Sequence, residues 1–187
     1  MICPKCGSYK VSEMSDDAPK MYQYWCLDCQ EGFNEGDYEM LNNEETIYLY
    51  TDGACSCNPG PAGAGVLMRY LHHEKRISKF LGHATNNIAE LTAIKIGLES
   101  VTDNSKLIVV YTDSQYSIGV LSNPTWKPKK NKELIKEIKD LISTFKSVDF
   151  QWVKGHADST ENNIVDELAV RAYKDRKDFE VRGTHIK

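Results

Sequence analysis

Four acidic residues stand where a carboxylate could do chemistry. Asp52 closes the apolar run "TIYLYTD" (46–52) and is followed by "GACSCNPGPAGAG", with hardly a large side chain until Val66. Glu90 falls at the start of the helical pattern "NNIAELTAIKIGLESV" (86–101), in its first turn. Asp113 closes a second apolar run, "KLIVVYTD" (106–113), and Asp166 lies in the last helical pattern, "TENNIVDELAVRAYKDR" (160–176). Two strands ending in Tyr-Thr-Asp would bring both acids to one rim of a sheet, and ligands of open α/β sheets collect at such rims. Acids that converge without basic partners repel one another, so a cluster of them requires cations. Hard oxygen donors select Mg2+ or Mn2+. Two such ions about 3.5–4 Å apart are a common arrangement for phosphodiester chemistry.

Each acid except Asp52 also has a structural reading. Glu90 follows Asn87 by three residues, as in a capping box. Asp113 precedes a helical segment and could cap it. Asp166 could be one more exposed helix carboxylate. Nothing after Asp52 starts a helix, so no such reading covers it.

A second constellation is made of thiols. "CPKCG" carries Cys3 and Cys6, and "WCLDCQ" carries Cys26 and Cys29, so two C-x2-C pairs are separated by 19 residues. This spacing fits a four-thiolate Zn2+ ribbon with a structural ion. Two disulfides or a redox pair are the alternatives. So short a segment cannot bury enough apolar surface to fold without such a clamp. Cys55 and Cys57 lie beside Asp52 and are expected to be thiols outside the ribbon.

The elements that must position these residues are read from periodicity. Strands are expected at "TIYLYTD", "AGVLMRY", "KRISKFLG", "KLIVVYTD" and "VDFQWV". The polar "LHHE" joins the second and third as a hairpin. Helices are expected at 86–101, 114–122, 132–145 and 160–176, the first with Ile88, Leu91, Ile94, Leu98 and Val101 near a 3.6-residue period. Strands that meander and then alternate with helices predict a mixed α/β sheet with helices on its faces. The expected division is a ribbon over 1–40, a linker over 41–45, the α/β domain over 46–180 and a tail over 181–187.

Charge follows the same division. Residues 1–45 carry three lysines against ten acidic residues, a net −7, while the remainder carries 20 basic and 17 acidic residues, a net +3. Lys127, Lys129, Lys130, Lys132, Lys136 and Lys139 make one basic stretch. A polyanionic partner suits it, and so does a plain solvated face. No apolar run reaches the roughly 18 residues of a membrane span, and the N-terminus lacks an apolar signal core. A cytoplasmic protein without a membrane partner is expected, and a monomer.

Residues 46 to about 176 resemble ribonuclease H of type 1. The motifs that carry the resemblance are "YTDGACSCNPGPAGAG", "ATNNIAELTA", "YTDSQY" and "WVKGHADSTENNIVDELA", in the family's order and spacing. The resemblance implies a five-stranded mixed sheet with helices on both sides. It implies endonucleolytic hydrolysis of the RNA strand of an RNA/DNA hybrid, leaving 5′-phosphate and 3′-hydroxyl ends. It implies two Mg2+ ions, replaceable by Mn2+, with Asp52, Glu90, Asp113 and Asp166 as ligands and Asp52 shared. His156, in "VKGHADST", would assist proton transfer or product departure. Gly53, Cys55 and Asn58 in the small-residue run, with Asn86, Asn87 and Gln115, would meet the hybrid's minor groove and its RNA 2′-hydroxyls. Thr85 and Asn131 would help to grip a DNA phosphate, with His83 where many eukaryotic relatives have arginine. The segment "LSNPTWKPKKNKEL" is shorter than the basic protrusion of several relatives, and Trp126 in it is read as a packing anchor. The acidic ribbon is not part of the common family pattern and is expected to contact a protein or position the substrate. A non-catalytic nucleic-acid-binding or scaffold protein that keeps the fold is the alternative function.

Overall fold

The computed structural model describes residues 11–13, 24–27, 30, 32–33, 46–154 and 160–184. Cys3, Cys6, Cys29 and His156 therefore lie outside the described residues, as does the linker expected over 41–45. Contacts divide the chain into two compact units. The smaller contains Met1–Glu44 with Arg69–Glu74 and Arg182–Lys187, and the larger is built from Glu45–Met68 and Lys75–Val181.

Within the first 44 residues, three short strands form an antiparallel sheet: β1 (Val11–Glu13), β2 (Tyr24–Cys26) and β3 (Gly32–Phe33). Cys26 at the end of β2 is fully buried. Gln30 N–H donates to the Cys26 carbonyl at 3.0 Å, and Gln30 takes a positive φ of 58° to do so.

The second sheet has six strands in the order β8-β7-β4-β5-β6-β9. Its strands are β4 (Thr46–Cys55), β5 (Gly60–Tyr70), β6 (His73–Ala84), β7 (Leu107–Thr112), β8 (Ser147–Trp152) and β9 (Phe179–Thr184). β7 runs parallel to both β4 and β8. β4, β5 and β6 are spatial neighbours joined by connections too short for a parallel crossover, so they turn back on one another and the sheet is mixed. The helices are α1 (Asn86–Glu99), α2 (Gln115–Ser122), α3 (Lys132–Ile142) and α4 (Thr160–Asp175).

Five strands, β4 to β8, were expected and are present; β9 adds a sixth beside β6 and crosses the boundary expected at residue 180. Its sequence, Phe-Glu-Val-Arg-Gly-Thr, alternates large and charged residues too briefly to stand out. It is held by Phe80 N–H donating to Asp178 Oδ1 at 2.9 Å, by the Lys75–Glu180 ion pair at 3.2 Å and by Arg171, whose guanidinium lies 4.5 Å from the Phe179 ring centre.

Central β4 is covered on both faces. Strand side chains alternate in direction, so Leu49, Thr51 and Gly53 face one way and Tyr48, Tyr50 and Asp52 the other. Gly97 of α1 sits over Leu49, Thr51 and Val66. Gly63 and Gly65, whose parity on β5 is opposite to that of Val66, meet Ala169 and Val165 of α4. Helices α1 and α4 thus sandwich the sheet. Leu49, Val66, Leu67, Leu91, Ile94, Leu98, Ile108, Val110 and Val165 are fully buried between the layers. Each such side chain contributes about 1.5–3 kcal/mol of burial. Tyr50 stacks on its register partner Tyr111 at 4.8 Å, which fixes β4 against β7 below the rim where the two acids stand.

Candidate active site

Asp52 does not end its strand as the sequence suggested. β4 continues through Gly53 and Ala54 to Cys55. The small residues have a packing reason that sequence alone did not reveal. A Cβ on Gly53 would lie 2.1 Å from Glu90 N and 2.2 Å from the Ala89 carbonyl carbon. No side chain fits there, so glycine is what lets the backbone of α1 approach β4 and set Glu90 beside Asp52. Gly65 does the same for α4, where an added Cβ would meet Val165 O at 2.0 Å. Gly53 is buried and gives a backbone hydrogen bond to Glu90. Only Ser56, Cys57, Asn58 and Pro59 of the run are exposed.

Neither capping reading of the acids holds. The N-cap of α1 is Thr85, whose Oγ1 accepts from Ile88 N–H at 3.4 Å, so Glu90 lies beyond the first turn and outside the cap. The N-cap of α2 is Ser114, whose Oγ accepts from Ser117 N–H at 3.3 Å, which leaves the Asp113 side chain out of the cap. Neither carboxylate is spent on a helix cap.

Ligand oxygens of Asp52, Glu90 and Asp113 all lie within 4.8 Å of one another. Asp52 is 8% exposed and Glu90 6%, while Asp113 is half-buried. At an effective dielectric constant of about 20, two carboxylates this close repel by about 3–4 kcal/mol. Burial pushes the Glu90 carboxyl well above the ordinary range, and the charges of Asp52 and Asp113 push it further. Hydrogen bonds from Gly53 and Asn86 oppose that rise without cancelling it. Asn86 Nδ2–H donates to Glu90 Oε1 at 3.5 Å, and Asn86 Oδ1 accepts from Cys55 Sγ at 3.7 Å. Asn58 Oδ1 accepts the Asn86 backbone N–H at 3.1 Å. Asn86, Asn58 and Cys55, expected at the substrate, are thus first of all tied to one another and to Glu90.

Glu90 Oε2 is buried with no hydrogen-bond partner among the described residues. An orphaned carboxylate oxygen inside a cluster of acids is costly unless a proton or a cation meets it. The donor set is all carboxylate oxygen, which suits a hard divalent cation. The residues present therefore fit such an ion.

Asp166 is half-buried on α4 and does not belong to the group of three. Asn87 and Gln115 are exposed at the starts of α1 and α2. Asn131 precedes α3 with a positive φ of 57°, and its Nδ2–H donates to the Tyr116 hydroxyl at 3.3 Å. Trp126 packs its ring on Gly119, where a Cβ would be 2.5 Å from it, as a packing anchor would. Sequence reasoning assigned nothing to Trp152, although it lies inside a motif already singled out. It stands at the rim on β8, with its indole N–H donating to the Asp113 carbonyl at 3.2 Å. The register that pairs Trp152 with Thr112 was the signal that could have found it.

A mixed sheet packed between helices, with a buried carboxylate triad at its rim, defines an α/β protein equipped to bind a hard cation. The RNase H family model matches residues 44–174, and the chain belongs to that family of enzymes, with ribonuclease H activity. Ribonuclease HI of Neisseria meningitidis serogroup A is 44% identical over 139 residues, covering 68% of this chain and 94% of the relative. Among solved structures, the N-terminal RNase H domain of a Mycobacterium tuberculosis protein aligns with a TM-score of 0.58 at 28% identity, over 68% of this chain and 98% of that one. LC11-RNase H1, solved in complex with an RNA/DNA hybrid, aligns with a TM-score of 0.57 at 26% identity, over 70% of this chain and 98% of that one. Enzymes of this family use divalent metal ions. Among the described residues, no helix is long and apolar enough to cross a membrane.

Proposed function

We propose that the chain cuts the RNA strand of RNA/DNA hybrids endonucleolytically and leaves 5′-phosphate and 3′-hydroxyl ends. The observation that carries this reading is the triad of Asp52, Glu90 and Asp113 with the orphaned Glu90 Oε2. The hybrid bound to the structural relative LC11-RNase H1 supports the substrate class.

Asp52, Glu90, Asp113 and Asp166 would hold two Mg2+ ions, or Mn2+, with Asp52 shared. Bound there, divalent ions lower the pKa of water and stabilise charge on the phosphate and leaving oxygens. The chain's own residues do the rest. Asn86 orients Glu90 through Oε1, and the Cys55 thiol orients Asn86. Exposed Asn58, Asn87 and Gln115 face solvent where RNA 2′-hydroxyls would be read, since that group distinguishes RNA from DNA. Thr85 and Asn131 would receive a DNA phosphate. His156 would take or return a proton near neutral pH. Gly53 is buried, so its part is to seat α1 rather than to touch RNA.

The other assignments belong to the same reading. Residues 1–40 form a ribbon in which Cys3, Cys6, Cys26 and Cys29 hold a structural Zn2+, and the ribbon serves protein contact or substrate positioning. Residues 46–180 carry the hydrolysis, and the protein works as a cytoplasmic monomer.

The test is cleavage of end-labelled RNA/DNA, RNA/RNA and DNA/DNA duplexes in Mg2+ at one salt concentration, because salt alone shifts affinity. Cleavage confined to the RNA of the hybrid, at internal positions, is expected. Equal cleavage of the RNA duplex, or trimming from the ends alone, would refute it.

A further inference from the structure

The peptide that joins Asp113 to Ser114 is held from both sides. Its carbonyl accepts the Trp152 indole N–H at 3.2 Å and the Gln115 backbone N–H at 3.1 Å. Its N–H donates to Thr112 Oγ1 at 3.2 Å. One residue earlier, the Thr112 carbonyl accepts Val153 N–H at 3.1 Å. A peptide unit is planar, so fixing the 113–114 plane fixes ψ at Asp113. The direction in which the carboxylate leaves the backbone is set with it.

Trp152 is placed unusually for an indole. It ends β8 and pairs in register with Thr112, yet 51% of it is exposed. Burial is not its main contribution, and its one polar atom is bonded to the carbonyl of an acid in the triad. Of the three acids, Asp113 is the least buried and is the one at the end of its strand. Mutual repulsion would turn this carboxylate away first, toward solvent.

We propose that Trp152 is a positioning residue: its indole N–H locks the Asp113–Ser114 peptide so that the Asp113 carboxylate stays aimed at the cation shared with Asp52 and Glu90. The inference rests on the reading of the triad as a divalent-cation site and adds to it a residue from the neighbouring strand. Partners that orient a ligand from behind are worth about 10–100-fold in metal affinity, and the Gln115 N–H remains when the indole N–H is removed, so the lower end applies.

The experiment is a calorimetric Mn2+ titration of the full chain as wild type, Trp152→Phe and Asp52→Asn. Trp152→Phe keeps the ring and deletes the N–H. It is expected to weaken Mn2+ binding about tenfold. Saturating Mn2+ should restore kcat to within about twofold, with KM for the hybrid unchanged, a split that a purely structural defect would not produce. Binding by Trp152→Phe equal to wild type would overturn the inference while leaving the triad in place. Asp52→Asn binding as well as wild type would instead overturn the reading of the triad. Should Trp152→Phe not fold, the wild type still decides, because the chain has only three tryptophans. The Trp152 indole N–H resonance, assigned by replacing Trp25 and Trp126 with Phe, must shift on Mg2+ addition. A resonance that does not move would count against the proposal.

Discussion

Glu90 and Asp166 sit on the two helices that press on opposite faces of one sheet, and they are treated very differently. Glu90 is 6% exposed, hydrogen-bonded through one oxygen and orphaned at the other, and packed against Asp52 and Asp113. Asp166 is half-buried and outside that group. Both helices reach the sheet through glycine, α1 at Gly53 and α4 at Gly65. The same packing device therefore yields two outcomes. On the α1 side it sets Glu90 beside Asp52 and Asp113. On the α4 side it leaves Asp166 half-buried and outside the group of three. The lesson is that the fold gathers three of the four expected acids and holds Asp166 outside their group.

Replacing each acid in turn would break this comparison most sharply. Glu90→Gln should lower hydrolysis by at least about a thousandfold and abolish Mn2+ binding at the triad. Asp166→Asn should also depress hydrolysis, by about a hundredfold, yet leave Mn2+ affinity at the triad within about threefold. Calorimetry on the two variants checks it; equal loss of Mn2+ binding in both would erase the distinction.

The glycines give the next largest effect. Gly53→Ala forces a carbon against the backbone of Ala89 and Glu90 and should cost about 3 kcal/mol in urea unfolding. Gly183→Ala, where nothing lies within 4 Å of the added carbon, should change stability by no more than about 0.5 kcal/mol.

These contrasts also mark what the sequence could tell. The strands that carry the two Tyr-Thr-Asp segments, the long helices and the α/β order were legible because apolar periodicity is a local signal, although β4 runs on past Asp52 to Cys55. The helix starts were legible too, since the helices begin at Asn86, Gln115, Lys132 and Thr160, within one residue of expectation, but the capping residues were not. Thr85, Asn86 and Asn87 can all cap, and only the 3.4 Å bond to Ile88 N–H selects Thr85. The glycine run looked like surface kept clear for a ligand, because nothing local shows that helix backbones far along the chain, at Ala89 and Val165, fill that space. Trp152 was invisible for the same reason: its partner is the backbone of Asp113, on another strand. β9 escaped because six residues with alternating charge give a weak period.

A smaller effect follows from the raised carboxyl of Glu90. A carboxyl whose folded value lies above its unfolded value of 4.5 binds more protons in the folded state through that interval. Its destabilising charge is absent below pH 4.5, grows as pH rises and is complete once pH passes the folded value. Without divalent ions, the melting temperature of the wild type should therefore fall relative to Glu90→Gln from pH 5 upward. Saturating Mg2+ should remove that difference for the wild type. Parallel melting curves of the two proteins across pH, without metal, would show that the triad carries no such tension.

The smallest effect belongs to the first 44 residues. Cys26→Ser replaces a fully buried thiol in β2 and should disturb that small sheet, seen as lost dispersion of its backbone resonances. Hydrolysis of a hybrid in excess Mg2+ should stay within about threefold of wild type, because the larger unit has its own core. A loss of activity beyond tenfold would show that the two units are not separable in function.

The most direct measurement is the rate of hybrid cleavage by Asp52→Asn in saturating Mg2+, beside the wild type. Asp52 is a buried member of the triad, and the amide keeps its shape while removing its charge. A folded protein with cleavage reduced by at least about a thousandfold is the expected result. Cleavage within a few fold of wild type would contradict the assignment of this rim as the site of hydrolysis.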